Sequence, residues 1–269
     1  MRIARAVVAG RPATVVDDGE GWRISDVPIA ELIAGTAAVP TGDPLRLDPA
    51  GFLLPYRPST IIGVGLNFAD TVADMGWATP TAPYLFPKLS SSVIGPSDPV
   101  VVDLSVTTRA DWEAELGVVI GRRTRSVTAD EALEHVFGYV AANDVSARDL
   151  QAQDGQWLRG KGLDTFCPLG PWVASRDEIA DESDVAIRTW YDGRLVQDGS
   201  TASMIFGVAE LVSYCSTWFT LEPGDLILTG TPAGCGDFRT PREALVPGGT
   251  VEIEVAGLGR QRNPVHAPA

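Results

Sequence analysis

The chain has 269 residues, 45% hydrophobic and 21% charged, enough to bury a full core as one large domain or a large and a small one. A formal net charge of −14 and a pI of about 4.5 repel polyanions, so neither nucleic acid nor an anionic membrane is expected as a partner. No apolar run approaches the roughly 18 residues of a membrane span, and the amino terminus lacks the apolar stretch and cleavage pattern of a secretory signal.

In chain order, RIARAVV, PATVVDD and GWRIS alternate like short strands. A short helix is predicted at 28–34, and TAAVPTGDPLRLDPAG reads as a Pro/Gly-punctuated linker. These make a small amino-terminal α/β subdomain, residues 1–50, ahead of a larger unit over 55–265. From Thr60 onward the signal is mainly β, in IIGVGLN, PVVVDL, FGYVAAND, GPWVAS, VAIRTWY, RLVQ, DLILTG and TVEIEVAG. Thr128 and Glu131 have the spacing of a capping box, opening a short helix through His135. Asp192-Gly193 marks a hairpin turn, and a longer helix is predicted at 205–217. The tail RNPVHAPA, with His266, reads as mobile. Strands outnumber helices and do not alternate with them, which predicts a strand-rich α+β fold rather than a doubly wound parallel sheet. GVG at 63–65 lacks the third glycine of a dinucleotide fingerprint, so no nucleotide cofactor is expected.

Two compositional details bear on chemistry. Cys167, Cys215 and Cys235 show no CxxC spacing and read as reduced thiols of a cytoplasmic protein. Only Lys88 and Lys161 among the 21 basic residues are lysines, which singles them out for work suited to a compact ammonium.

The segment RADWEAELGVVIG poses the main question. Trp112, Ala114, Leu116, Val118 and Ile120 share one face of a strand, and Asp111, Glu113 and Glu115 share the other. Two carboxylates at i, i+2 repel unless a cation lies between them or one is protonated, although a solvent-facing strand would also carry them. Asp144, at the end of the apolar run FGYVAAND, adds a third acid at a strand's carboxyl end. An all-oxygen set with no His or Cys nearby suits Mg²⁺, Mn²⁺ or Ca²⁺ rather than Zn²⁺.

DWEAELGVVIG, GYVAANDVSARDLQ, GKGLDTFCPLGPWV and GDLILTGTPAGCG, with GVGLNFADTVADMG and PYLFPKLSSSVIGP upstream, resemble the fumarylacetoacetate hydrolase superfamily in order and spacing over residues 60–236. The resemblance implies a mixed β-sandwich roll behind the small subdomain, commonly as a homodimer. It implies Glu113, Glu115 and Asp144 as Mg²⁺ or Mn²⁺ ligands and Lys161 as a lysine that meets the substrate's oxygens. Gln151 and Thr231 match substrate-orienting residues. Lys88 matches a lysine contacting substrate or backbone, and Arg148 a residue that binds substrate or supports the site from behind. Substrates of the family are small 2-oxo or β-dicarbonyl acids, cleaved or rearranged through an enolate.

One departure matters. Hydrolytic relatives carry a His and, three residues later, a Glu on the short helix in NFADTVADMG; this chain has Thr71 and Asp74. The i, i+3 spacing places both on one helix face, but a Thr hydroxyl is no general base near pH 7. Asp74 could act alone, or a metal-bound water could replace the pair. The readings carried forward are C–C bond hydrolysis of an acylpyruvate-type acid, non-hydrolytic enolate chemistry such as decarboxylation, tautomerisation, isomerisation, dehydration or cyclisation, and a non-catalytic binding protein on the same scaffold.

Overall fold

The computed structural model describes all 269 residues. The first three strands form where the alternation places them, at Arg2–Val8, Arg11–Asp17 and Trp22–Ser25, and the helix Ile29–Ile33 follows. Ala9 and Gly10 turn the first hairpin with φ of 49° and 77°, the left-handed pair that matches strand twist. The segment read as a linker contains a fourth strand, Pro40–Leu45, at the outer edge of the sheet. Its prolines are tolerated because an edge strand pairs on one side only.

The amino-terminal strands do not form a separate sheet. Arg2 and Ile3 pair with Ala174 and Val173 of the strand Cys167–Ser175. From there one twelve-stranded mixed sheet runs through Val136–Asn143, Ala114–Ile120, Leu226–Leu228 and Ile61–Gly65 to Tyr84–Lys88. A second, five-stranded sheet has the order Arg194–Ser200, Ala186–Tyr191, Thr250–Val255, Gly259–His266, Val100–Val101. The carboxyl-terminal segment is therefore a strand rather than a mobile tail, and His266 is its exposed last residue. Its inward residues include Gln261 and Asn263, which donate to the Ala141 and Asp98 carbonyls at 2.7 and 2.8 Å. Polar side chains on the buried face hide the alternation that marks a strand.

The strand Ala114–Ile120 is buried along its whole length, so the solvent-facing alternative for its acids fails. Leu116, Val118 and Ile120 join Ile187, Ile253 and Val255 of the second sheet, together with Leu211 and Val212 of the helix Val208–Trp218, in one core. Val119 points the other way, into a cluster with Ile3, Val16, Ile29 and Leu32. Each such side chain contributes about 1.5–3 kcal/mol relative to exposure, so the strand that carries the acids is anchored on both sides.

Candidate active site

The predicted strand is broken at Trp112-Glu113. Ala110–Asp111 pairs with Ser146–Ala147, whereas Ala114 resumes opposite Asn143. The Asn143 side chain spans the break by accepting the Glu113 N–H at 3.0 Å, and the Asp144 N–H donates to the Glu113 carbonyl at 2.8 Å. This local irregularity turns Glu113, Glu115 and Asp144 toward one another, with carboxylate oxygens within 4.8 Å. All three are buried.

Three cations reach the same region. Lys161 Nζ, from the short helix Leu158–Lys161, donates to Glu113 Oε2 at 2.6 Å and Asp144 Oδ2 at 2.7 Å. Lys88 Nζ lies 2.6 Å from Asp144 Oδ1 as an ion pair without a well-directed hydrogen bond, and donates to the Val145 and Lys161 carbonyls. Arg148 places Nε 2.9 Å from Asp111 Oδ2 and Nη1 2.6 Å from Glu113 Oε1. Gly160 lets its helix touch the helix Arg148–Gln153, since a Cβ there would lie 2.9 Å from the Gln151 backbone N.

Four buried carboxylates thus face three buried cations, and Glu115 has no ion-pair partner. Its Oε2 accepts only the Gly230 N–H, at 2.8 Å. Burial first, then the Asp144 and Glu113 charges, push its carboxyl well above the usual carboxylate range, against the opposing pull of Lys161 and Gly230. Burial also disfavours Asp144 ionisation, but Lys161 and Lys88 outweigh it and hold that carboxyl below its ordinary value. A hard divalent cation fits this arrangement, because it supplies the missing positive charge to an all-oxygen donor set.

Of the other predicted residues, Thr71, Gln151 and Thr231 line the cavity above the triad, as do Arg148 and Lys161. Lys88 is not in its wall; it sits behind Asp144. Thr71 Oγ1 donates to the Thr231 carbonyl at 2.7 Å, and Thr231 Oγ1 donates to the Ala114 carbonyl while accepting from Gln197 Nε2. Asp74 is exposed and does not line the cavity. Three residues turn a helix by about 300°, and the helix Ala69–Met75 buries only Thr71 and Val72, so the two side chains do not share the inward face.

Several residues carried no sequence signal for this site. Asn67 donates to the Phe206 and Thr229 carbonyls, tying the loop before the Thr71 helix to the Gly230 loop. Gln197 binds the Ala114 N–H, Thr189, Thr231 and Pro232 at once. Its reach to Ala114, Thr231 and Pro232, each more than 30 residues away in the chain, is marked by no local pattern. Asp111, which the sequence left outside the metal set, is buried and accepts from Arg148 and from the Gly236 N–H at 2.7 Å. Replacing it would leave Arg148 half-paired and three backbone donors open, those of Trp112, Gly236 and Asp237. Asp111→Ala is expected to lower unfolding free energy by about 3 kcal/mol in denaturant titration.

The mixed-sheet, strand-rich fold is that of the fumarylacetoacetate hydrolases, and the chain belongs to this family. The fumarylacetoacetate hydrolase C-terminal model matches residues 60–266. A 2,4-didehydro-3-deoxy-L-rhamnonate hydrolase of Sphingomonas sp. is 47% identical over 262 residues, covering 95% of this chain and 92% of its own. An oxaloacetate tautomerase of Xenopus laevis is 43% identical over 211 residues, 78% of this chain and 66% of its own. Among solved structures, a fumarylacetoacetate hydrolase of Exiguobacterium antarcticum superposes with a TM-score of 0.87 at 37% identity, and a 5-carboxymethyl-2-hydroxymuconate delta-isomerase of Mycobacterium smegmatis with 0.81 at 36%. Both superpositions cover the whole of both chains.

Proposed function

We propose that this enzyme holds Mg²⁺ or Mn²⁺ on Glu113, Glu115 and Asp144 and acts on a small 2-oxo acid with a second carbonyl, by way of an enolate. The observation that carries the reading is the unbalanced charge around Glu115. A bound cation would supply Lewis acidity toward the oxygens of an oxo acid. Lys161 holds a proton on Nζ beside the triad, where it neutralises charge developing on an enolate oxygen. Arg148 Nη2 is buried with no partner and is available to a substrate carboxylate. Gln151 Oε1 accepts from Arg148 Nη1 at 3.3 Å and extends that contact. Phe86, Trp157 and Phe238 wall the cavity and exclude water.

The geometry favours proton transfer between keto and enol forms over hydrolysis. Thr71 is committed to a backbone carbonyl and Asp74 faces away, so the Thr71 helix supplies no base to activate water. The second reading, C–C bond hydrolysis, draws on the 47% identity to the Sphingomonas hydrolase. The two separate in one assay with Mg²⁺ or Mn²⁺. Chelator-sensitive keto–enol interconversion of an acylpyruvate should exceed its cleavage, and Thr71→His should raise cleavage. Cleavage exceeding tautomerisation in the wild type would select hydrolysis. Chelator-insensitive turnover of both would remove the enolate account.

A further inference from the structure

The cavity above the triad is narrow, about 40 Å³, room for the head of an oxo acid and little more. It opens past Met75, Gln151, Trp157 and Phe238 into a vestibule of about 430 Å³ that Trp77 and Arg109 complete. Any group beyond the head must lie there.

Met75, Trp77, Ala152, Trp157 and Phe238 give the vestibule an apolar side, and its inner aromatic rings are firmly held. Trp157 packs against Tyr84 and Phe86 with ring centroids at 4.5 and 5.4 Å, and Phe238 lies 5.2 Å from the Arg148 guanidinium carbon. Trp77 stands at the mouth with 53% of its surface exposed, although the short helix before it has ended at Gly76. The vestibule's own cation is already taken. Arg109 Nε and Nη2 bind Asp237 Oδ1 and Oδ2 at 2.7 and 2.6 Å, a two-point pair that offsets its charge and occupies that edge of the guanidinium. Arg148 Nη2 remains, at the border with the inner cavity, where it serves a single carboxylate on the head. A second carboxylate on the tail would enter an aromatic pocket with its arginine neutralised, in a protein of net charge −14.

We infer that the substrate is a monocarboxylate whose distal group is uncharged and presents an apolar face to Trp77, Trp157 and Phe238, unlike a diacid such as oxaloacetate. This rests on the oxo-acid head proposed above, and deepens it. Inert oxamates share one head and differ only in the tail, so calorimetric titration with Mn²⁺ present separates the two ideas. N-benzyloxamate is expected to bind at least tenfold tighter than N-oxalylglycine, whose tail is a carboxylate. Trp77→Ala should remove most of that difference. Asp237→Asn, by releasing Arg109, should tighten N-oxalylglycine several-fold. N-oxalylglycine binding as tightly as the benzyl compound to the wild type would overturn the inference while leaving the head assignment standing. If oxamate itself and both derivatives fail to bind, the head assignment falls, and the inference with it.

Discussion

Lys161→Met is expected to lower kcat by about 10²–10³-fold, the usual cost of removing one donor aimed at developing negative charge. The substitution keeps most of the volume and removes only the ammonium. Lys161 Nζ is the one group that touches both Glu113 and Asp144, so its loss also leaves those carboxylates facing each other. Without metal, the variant should unfold about 3 kcal/mol more easily than the wild type, as expected when half of a buried ion pair is removed. Added Mg²⁺ or Mn²⁺ should restore much of that stability without restoring turnover, because a cation can replace the charge but not the proton. Thermal melts with and without metal, beside steady-state kinetics, separate the two roles. Full activity in Lys161→Met would leave Lys161 as a structural counter-ion only.

Glu115→Gln should produce the opposite pair of effects: a more stable metal-free protein that binds metal far more weakly. Glu115 is the carboxylate with no cationic partner, and a Gln side-chain oxygen can still accept the Gly230 N–H. Because the folded pKa is raised, Glu115 gives its full contribution to stability below the unfolded carboxylate range. That contribution is lost as pH rises through the folded value. The metal-free wild type should therefore lose stability over that rise by this group's share, and Glu115→Gln should remove the share, gaining about 1 kcal/mol or more at neutral pH. Loss of a direct ligand should weaken the cation at least 100-fold, more than the 10–100-fold typical of residues behind the ligands.

Much of this site was legible in the sequence because its chemistry is local. Glu113 and Glu115 stand two apart in an apolar run, Asp144 ends another, and Lys161 is one of only two lysines. The positions of most core strands followed from their apolar, β-type segments, which burial enforces. What escaped has a common cause in contacts between distant segments. The strand break at Trp112-Glu113 depends on the Asn143 side chain, 30 residues on. The final strand was hidden by Gln261 and Asn263, buried with their amide N–H groups donating to carbonyls from elsewhere in the fold. The i, i+3 argument for Thr71 and Asp74 was sound for an isolated helix. It failed because this helix buries too narrow a face to include both. Asp111, set aside as outside the metal set, emerges as the anchor that aims Arg148.

The central claim is that the three carboxylates bind one divalent cation, and calorimetric titration of Mn²⁺ into metal-free wild type and Glu115→Gln tests it most directly. The account predicts one ion per chain in the wild type and at least 100-fold weaker binding in the variant, with the variant's fold intact by circular dichroism. No binding to the wild type, or equal affinity in the two, would contradict it.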